Sequence, residues 1–235
     1  MFFVTLFVYS LNRLTDVSED AGTYRSEFSP KKNMLLLAIG GYLVAIIVAF
    51  SRGIFTFFIS IVPIILGVLY SVKFLPSKFK YRRLKDIPII KSIVISLSWA
   101  ITATFLPYTR FYLNFITVLV FFLFFVRVFT NCTSLDIDDI ESDLRSGVKT
   151  LPAILGEKTT KVLLTTINFI SIVVVSVLIL LSSIPKIFIV FPCSAIYNHF
   201  YITLKKGKRL IREILADGQC IFTFLLLIGY SQIHL

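Results

Sequence analysis

Cysteine, histidine and acidic side chains are scarce in this 235-residue chain, which has three cysteines, two histidines and 13 aspartates and glutamates. Each cysteine lies in or beside an apolar segment, at Cys132, Cys193 and Cys220. Their spacing matches neither a disulfide framework nor a metal-binding motif. The sequence therefore favours a packing role for all three thiols.

Long polar stretches are also lacking. The chain is 57% hydrophobic with a mean hydropathy of +0.88, far outside the range of a soluble domain. Since a membrane span needs about 20 residues, there is room for about eight spans and none for a separate soluble domain. We predict one all-α, polytopic transmembrane helical bundle over residues 1–235, with candidate spans at 1–20, 33–50, 54–74, 88–106, 112–135, 160–182, 186–204 and 219–234.

Charge is nearly absent from every second connection between these spans. Three short connections carry one cation each: 51–53, 107–111 and 183–186. Four longer ones hold 20 of the 24 lysines and arginines and all 13 acids: 13–32, 73–91, 136–161 and 205–218. The positive-inside rule predicts a multi-pass protein of the cell membrane whose long connections are cytoplasmic. The net charge of +11 then reflects topology and attraction to membrane lipids, and we predict no nucleic-acid binding.

Ten of the 13 acids lie in two clusters, each of which follows an apolar segment. Carboxylates are costly at a membrane edge, and the helix dipole disfavours anions at helix C-termini, so the clustering needs a physical reason. In the first cluster, Asn12, Asp16 and Asp20 fall at i, i+4 and i+8, on one face of a helix.

The second cluster repeats this arrangement. Asp136, Asp139 and Asp143 fall at i, i+3 and i+7, again on one face, and the predicted topology puts both clusters on the same side of the membrane. Ordinary solvated helix ends are the simpler alternative for any single acid. Two matching sets instead favour a shared site for Mg²⁺, which binds one or two carboxylates and completes its shell with water and phosphate oxygens.

Cations that could offset a diphosphate lie close to the clusters in sequence. Tyr70 ends an apolar segment and Lys73 follows about one turn later, while Arg145 and Lys149 follow the second cluster. Arg127 lies near the middle of a span, where an exposed guanidinium is costly. We therefore expect Arg127 to face the bundle interior, as a structural partner or as a substrate contact.

At these residues the chain resembles the UbiA superfamily of intramembrane prenyltransferases. The family's two acidic motifs, Asn-Asp-x-x-Asp-x-x-x-Asp and Asp-x-x-Asp-x-x-x-Asp, have counterparts at Asn12, Asp16 and Asp20 and at Asp136, Asp139 and Asp143. Residues 139–156 also resemble the second signature in their Thr-Leu-Pro and Leu-Gly turns, and Tyr70-x-x-Lys73 resembles the Tyr/Lys motif between the acidic ones.

The resemblance implies transfer of an isoprenyl chain from a polyprenyl diphosphate donor to a lipophilic acceptor within the membrane. It implies Mg²⁺ held by Asn12, Asp16, Asp20, Asp139 and Asp143, with Asp136 in support. Catalysis would rest on Asp16, Asp20, Asp139 and Asp143. Substrate would contact Asn12, Tyr70, Lys73, Arg145 and Lys149.

Family members have nine spans and carry the first motif at the end of the second span. The resemblance therefore implies that this chain lacks the family's first span, and a truncated, non-catalytic relative is one alternative. The other is a cation transporter or channel whose acids bind the transported ion. The phenylalanine-rich segment 121–125 could line a prenyl tunnel or face lipid.

Overall fold

The computed structural model describes residues 6, 7, 10, 32–72, 76 and 82–233. Within these residues every regular element is helical, which confirms the all-α fold class. The α-helices are α1 (Lys32–Arg52), α2 (Ile54–Ser71), α3 (Ile90–Phe105), α4 (Phe115–Asp136), α5 (Ile140–Ser146), α6 (Leu151–Leu180), α7 (Val190–Thr203) and α8 (Arg209–Ile233). Two 3-10 turns lie at Leu84–Asp86 and Lys186–Ile189.

Several of these helices have the length and apolar composition of membrane spans. Four qualify by both measures: Ile54–Ser71, Phe115–Asp136, Leu151–Leu180 and Arg209–Gln232. Two apolar helices are shorter, Leu36–Arg52 and Ile90–Phe105. The polytopic helical architecture is thus confirmed, whereas the count of eight spans and the single domain over 1–235 stay predictions.

Two of the charged connections turn out to be largely helical. Residues 205–218 are predicted as a connection, but α8 already begins at Arg209. Arg209 Nε donates to Glu213 Oε1 at 2.7 Å, an i,i+4 pair that supports the first turns of a helix. The segment 136–161 likewise contains α5 and the start of α6, which is kinked at Gly156 with φ 77°.

The helices form two groups joined through α3 and α4. Helices α1, α2 and α3 pack in chain order, and α3 packs extensively along α4. Helices α4, α6, α7 and α8 pack on one another as a four-helix group. Large apolar side chains cover much of the outside, for example Leu37, Ile47 and Leu180. Such an outer surface suits contact with lipid tails rather than water.

The phenylalanine-rich segment of α4 is divided between the outside and the interior. Phe122 is exposed, while its neighbour Leu123 is buried. Phe124 packs edge-to-face on Phe191 of α7, with ring centroids 6.2 Å apart. The segment therefore contributes to helix packing as well as to the outer face.

A layer of polar side chains, which we call the polar layer, crosses the four-helix group. It consists of Arg127, Asn168, Ser194, Asn198, Gln219 and Thr223. The helix register places it between two apolar clusters. One cluster contains Leu123, Val175, Ile184 and Phe188, and the other contains Leu164, Tyr201 and Ile202.

Arg127 is the centre of the polar layer. Its guanidinium contacts Ser194 Oγ, donates from Nη2 to the Phe191 carbonyl at 3.1 Å and lies 3.4 Å from Thr223 Oγ1. The amide oxygen of Gln219, turned toward the guanidinium, accepts from Nη1 at 3.0 Å and from Nε at 2.9 Å. The expectation that Arg127 faces the interior is confirmed. Its hydrogen-bond partners within the described part of the chain are neutral, which favours the structural role.

Candidate functional site at the second acidic motif

Asp136, the first carboxylate of the second motif, is held by two side chains of α3. Lys91 Nζ lies 2.6 Å from Asp136 Oδ1, and Ser92 Oγ donates to Oδ2 at 3.3 Å. Asp136 is only 4% exposed. A buried carboxylate is stable only when its charge is compensated, and here a cation and a hydroxyl do so. Both oxygens of Asp136 are thus engaged by the protein itself.

The backbone before α3 places Lys91 at this position. Ile89 has φ 68°, in the left-handed region, which for a β-branched residue costs about 1–3 kcal/mol. Its N–H donates to the carbonyl of Lys149 at 3.0 Å. This bond ties the start of α3 to the segment that follows α5. The two charged partners, Lys91 and Asp136, are thereby held on adjoining helices.

Asp139 and Asp143 stand one turn apart, the first directly before the short helix α5 and the second within it. Asp139 is the residue before the helix, and its carbonyl accepts from the Asp143 N–H at 2.8 Å. Gly147 follows the last residue of the helix with φ 75°, a left-handed conformation that glycine adopts without strain. The chain then turns back, so that Thr150 Oγ1 donates to Asp143 Oδ2 at 2.8 Å.

Burial raises the pKa of the Asp143 carboxyl to about 6. The Lys91 ammonium acts in the opposite direction, and the hydrogen bond from Thr150 also lowers the pKa. The neighbouring carboxylates of Asp136 and Asp139 raise it further. Crowded carboxylates that resist ionisation are the environment in which an added cation binds favourably.

Basic side chains in the turn before α8 and in its first turn contact the acids around the motif. The pairs are Arg212 with Asp138, Arg209 with Asp139, and Lys206 with Glu141. Arg212 is fully buried and also donates to the carbonyls of Tyr201 and Leu204, at 3.1 and 2.7 Å. The Gly207 N–H donates to Asp138 Oδ1 at 2.8 Å, which fixes the turn before α8 against the motif.

The predicted site residues fall into three groups. Asn12, Asp16, Asp20 and Lys73 lie outside the described residues. Asp136, Asp139 and Asp143 are gathered at the junction of α4 and α5, and Tyr70 is buried at the end of α2. The last two, Arg145 and Lys149, are exposed.

Arg145 is engaged within α5. Its guanidinium lies 3.8 Å from Glu141 and donates to the Glu141 carbonyl at 3.3 Å. The pair is exposed, and exposed pairs of this kind contribute little stability. Arg145 can therefore leave Glu141 at small cost, and its role at a substrate stays a prediction.

Sequence reasoning missed Lys91, Arg209 and Arg212. Each lies in a segment whose cations the positive-inside rule explains without a site. The available signal was position, since Lys91 opens an apolar helix and Arg212 lies one turn from Arg209 in a helical pattern. That signal identifies a helix face but not the acid on the neighbouring helix.

The described half of the site fits a hard divalent cation in its donor chemistry. Among the described residues, no group of three histidine, cysteine or acidic side chains is arranged to hold a metal. A complete set of ligands would therefore need donors from elsewhere, such as the substrate or the first motif. Asp139 and Asp143 supply two carboxylates there, and Mg²⁺ commonly takes one or two carboxylates together with substrate phosphate oxygens. The donor set therefore suits Mg²⁺ shared with an anionic substrate.

Residues 1–226 match the model of the UbiA prenyltransferase family. No curated protein sequence matches the chain. Among solved structures, a UbiA homolog from Archaeoglobus fulgidus bound to GPP and Mg²⁺ is 15% identical, with TM-score 0.62 over 96% of this chain and 84% of that one. The Cd²⁺-bound form is 16% identical, with TM-score 0.59 over 96% and 83%.

A third similar structure comes from work on digeranylgeranylglyceryl phosphate synthase in membranes. It is 17% identical, with TM-score 0.58 over 97% of this chain and 81% of that one. At these identities the similarity establishes a shared fold. The family match extends over nearly the whole chain and includes the second acidic motif. The chain belongs to the UbiA prenyltransferase family.

Proposed function

We propose that this protein transfers an isoprenyl chain from a polyprenyl diphosphate to a lipophilic acceptor within the membrane, in a reaction that depends on Mg²⁺. The observation that carries the proposal is the pair Asp139 and Asp143, set one turn apart where apolar α4 ends. Family membership supports the reaction class. A similar fold binds GPP with Mg²⁺ in the A. fulgidus homolog, which supports the donor and the cofactor.

Mg²⁺ would be held by Asp139 and Asp143, together with Asn12, Asp16 and Asp20 of the first motif. Bound there, Mg²⁺ would neutralise the charge that develops on a departing diphosphate. Asp136 differs from the other two acids of its motif, because Lys91 and Ser92 already occupy its oxygens. We therefore assign Asp136 a supporting role beside the ligands.

The chain's own residues would bind and orient the donor. The Lys91 ammonium interacts electrostatically with Tyr70 and Asp143 as well as with Asp136. A preformed cation of this kind stabilises negative charge without reorganising during the reaction. Lys73 and Arg145 would offset the remaining charge of the diphosphate. The apolar helices around the motif would exclude water from an allylic carbon with cationic character.

The test is prenyl transfer by the purified protein in liposomes. Labelled prenyl diphosphates of several lengths are incubated with Mg²⁺ and a native lipid extract, and the labelled lipid product is identified by mass. We expect product from the wild type and none after chelation of Mg²⁺. Asp139→Asn and Asp143→Asn should each lower the rate at least about a hundredfold, since each removes a charged ligand from the site.

Ion flux is measured in the same liposomes. Flux that requires Asp139 in the absence of prenyl transfer would contradict the proposed function and support a transporter. Full transfer activity in both Asn variants would contradict the assignment of these two residues to the metal.

A further inference from the structure

Three pairs connect the first turn of α8 and the turn before it to the second motif, and they differ in burial. Arg212 and Asp138 are both inaccessible, with side chains 0% and 3% exposed. Lys206 and Glu141 lie at the surface, with side chains 32% and 68% exposed. The Arg209–Asp139 pair is intermediate, at 30% and 11%. The first pair anchors α8, whereas Arg209 is a partly accessible cation placed on a carboxylate of the proposed metal site.

Arg209 also has a second acidic partner. Its Nε donates to Glu213 Oε1 at 2.7 Å, one turn further along α8. Because this partner lies on the same helix, Arg209 can leave Asp139 while it keeps a counter-ion. The Arg212–Asp138 pair meanwhile holds α8 in place. A guanidinium in this position can turn from a carboxylate to a phosphate, since its planar fork matches both.

From this geometry we infer that Arg209 is a further binding residue of the donor site, which neutralises Asp139 before Mg²⁺ binds and contacts the diphosphate afterwards. The inference rests on the proposed function. Arg209 and Mg²⁺ compete for the Asp139 carboxylate, so the arginine opposes binding of Mg²⁺ alone. It favours binding of the diphosphate, because the released guanidinium gains a phosphate partner.

Two equilibrium measurements on the full chain in detergent or nanodiscs test this. The first is the dissociation constant of Mg²⁺ alone, and the second is that of pyrophosphate at saturating Mg²⁺, both by calorimetry. In Arg209→Gln we expect Mg²⁺ to bind more tightly, by about threefold or more, since a competing cation is gone. Pyrophosphate should bind at least about tenfold more weakly, since a charge-assisted hydrogen bond is lost.

Opposite changes in the two constants distinguish a binding role from a structural one. Loss of affinity for both ligands in a folded variant would indicate a structural role and would overturn the inference, as would two unchanged constants. Arg209→Lys keeps the charge without the planar fork. Its affinity for pyrophosphate should therefore lie between those of the wild type and Arg209→Gln. It also provides a readout if Arg209→Gln fails to fold.

Lys206→Gln is the matched control, because it removes a positive charge from the same segment at a residue paired with Glu141 and not with Asp139. It should leave both constants within about twofold of the wild type, since an exposed charge acts weakly. Equal effects of Lys206→Gln and Arg209→Gln would contradict a specific role for Arg209. A wild-type protein that binds neither Mg²⁺ nor pyrophosphate would instead contradict the proposed function, and the inference with it.

Discussion

The acids of the second motif share a sequence pattern but occupy different chemical environments. Asp136 is compensated by Lys91, Asp139 by Arg209, and Asp143 is bonded by the Thr150 hydroxyl. The first of these pairs joins two helices, α3 and α4. Desolvated ion pairs of this kind contribute little net stability, but loss of one partner leaves a buried charge uncompensated.

A double-mutant cycle on Lys91 and Asp136 tests this at the scale of single residues. Lys91→Met and Asp136→Asn should each lower the free energy of unfolding by about 3 kcal/mol, because each leaves one buried partner unpaired. The double variant should recover a large part of that loss. The measurement is unfolding in detergent, monitored by circular dichroism. Additive losses in the double variant would contradict coupling between these two side chains.

At the scale of elements, α8 is attached to the rest of the four-helix group by polar contacts along one stripe. Arg212, Ala216, Gln219 and Thr223 follow one another at helical spacing on α8. The Ala216 carbonyl accepts from Asn131 Nδ2 at 3.3 Å, one turn along α4 from Arg127. In an apolar surrounding these contacts favour one helix register, because slippage would leave buried polar groups without partners.

Substitution at the centre of the polar layer tests this. Arg127→Met should lower the free energy of unfolding by about 2 kcal/mol or more, since the Gln219 amide and the Ser194 hydroxyl lose a buried donor. Thermal unfolding in detergent measures the loss. The control is Arg110→Met, the same change at an exposed arginine, which should have almost no effect. Equal stabilities of the two variants would show that the layer is not important for packing.

At the scale of the whole molecule, charge is concentrated at one of the two ends of the bundle. The turn before α8 and the second motif share the charged end, while the connection between α6 and α7 lies at the other end and carries Lys186. The positive-inside rule predicts that the charged end lies in the cytoplasm.

Cysteine labelling tests this topology. Single cysteines are introduced as Lys208→Cys and Ser183→Cys into a chain with its three native cysteines replaced by serine. In intact cells a membrane-impermeant maleimide should label only the cysteine at position 183. Inverted vesicles should give the reverse result, with label only at position 208. Label at both positions in intact cells would contradict the predicted orientation.

The sequence by itself determined the helical class, the membrane environment and the acidic motif, because each depends on local composition and spacing. Apolar segments such as 115–135 have no other stable state in lipid than a helix, and the spacing of Asp139 and Asp143 puts them on one face. The start of α8 was the exception. Its charges suggested a connection, while the i,i+4 pair of Arg209 and Glu213 supports a helix.

Only the tertiary structure decided which charges meet. Lys91 and Asp136 are 45 residues apart in the chain, and Arg209 and Asp139 are 70 apart. Such pairs depend on which helices adjoin and on their register, and no local pattern contains that information. In a chain with 24 basic residues, topology explains most cations equally well. The fold selects the few that compensate a buried carboxylate, because a carboxylate buried without a compensating partner would be too costly to retain.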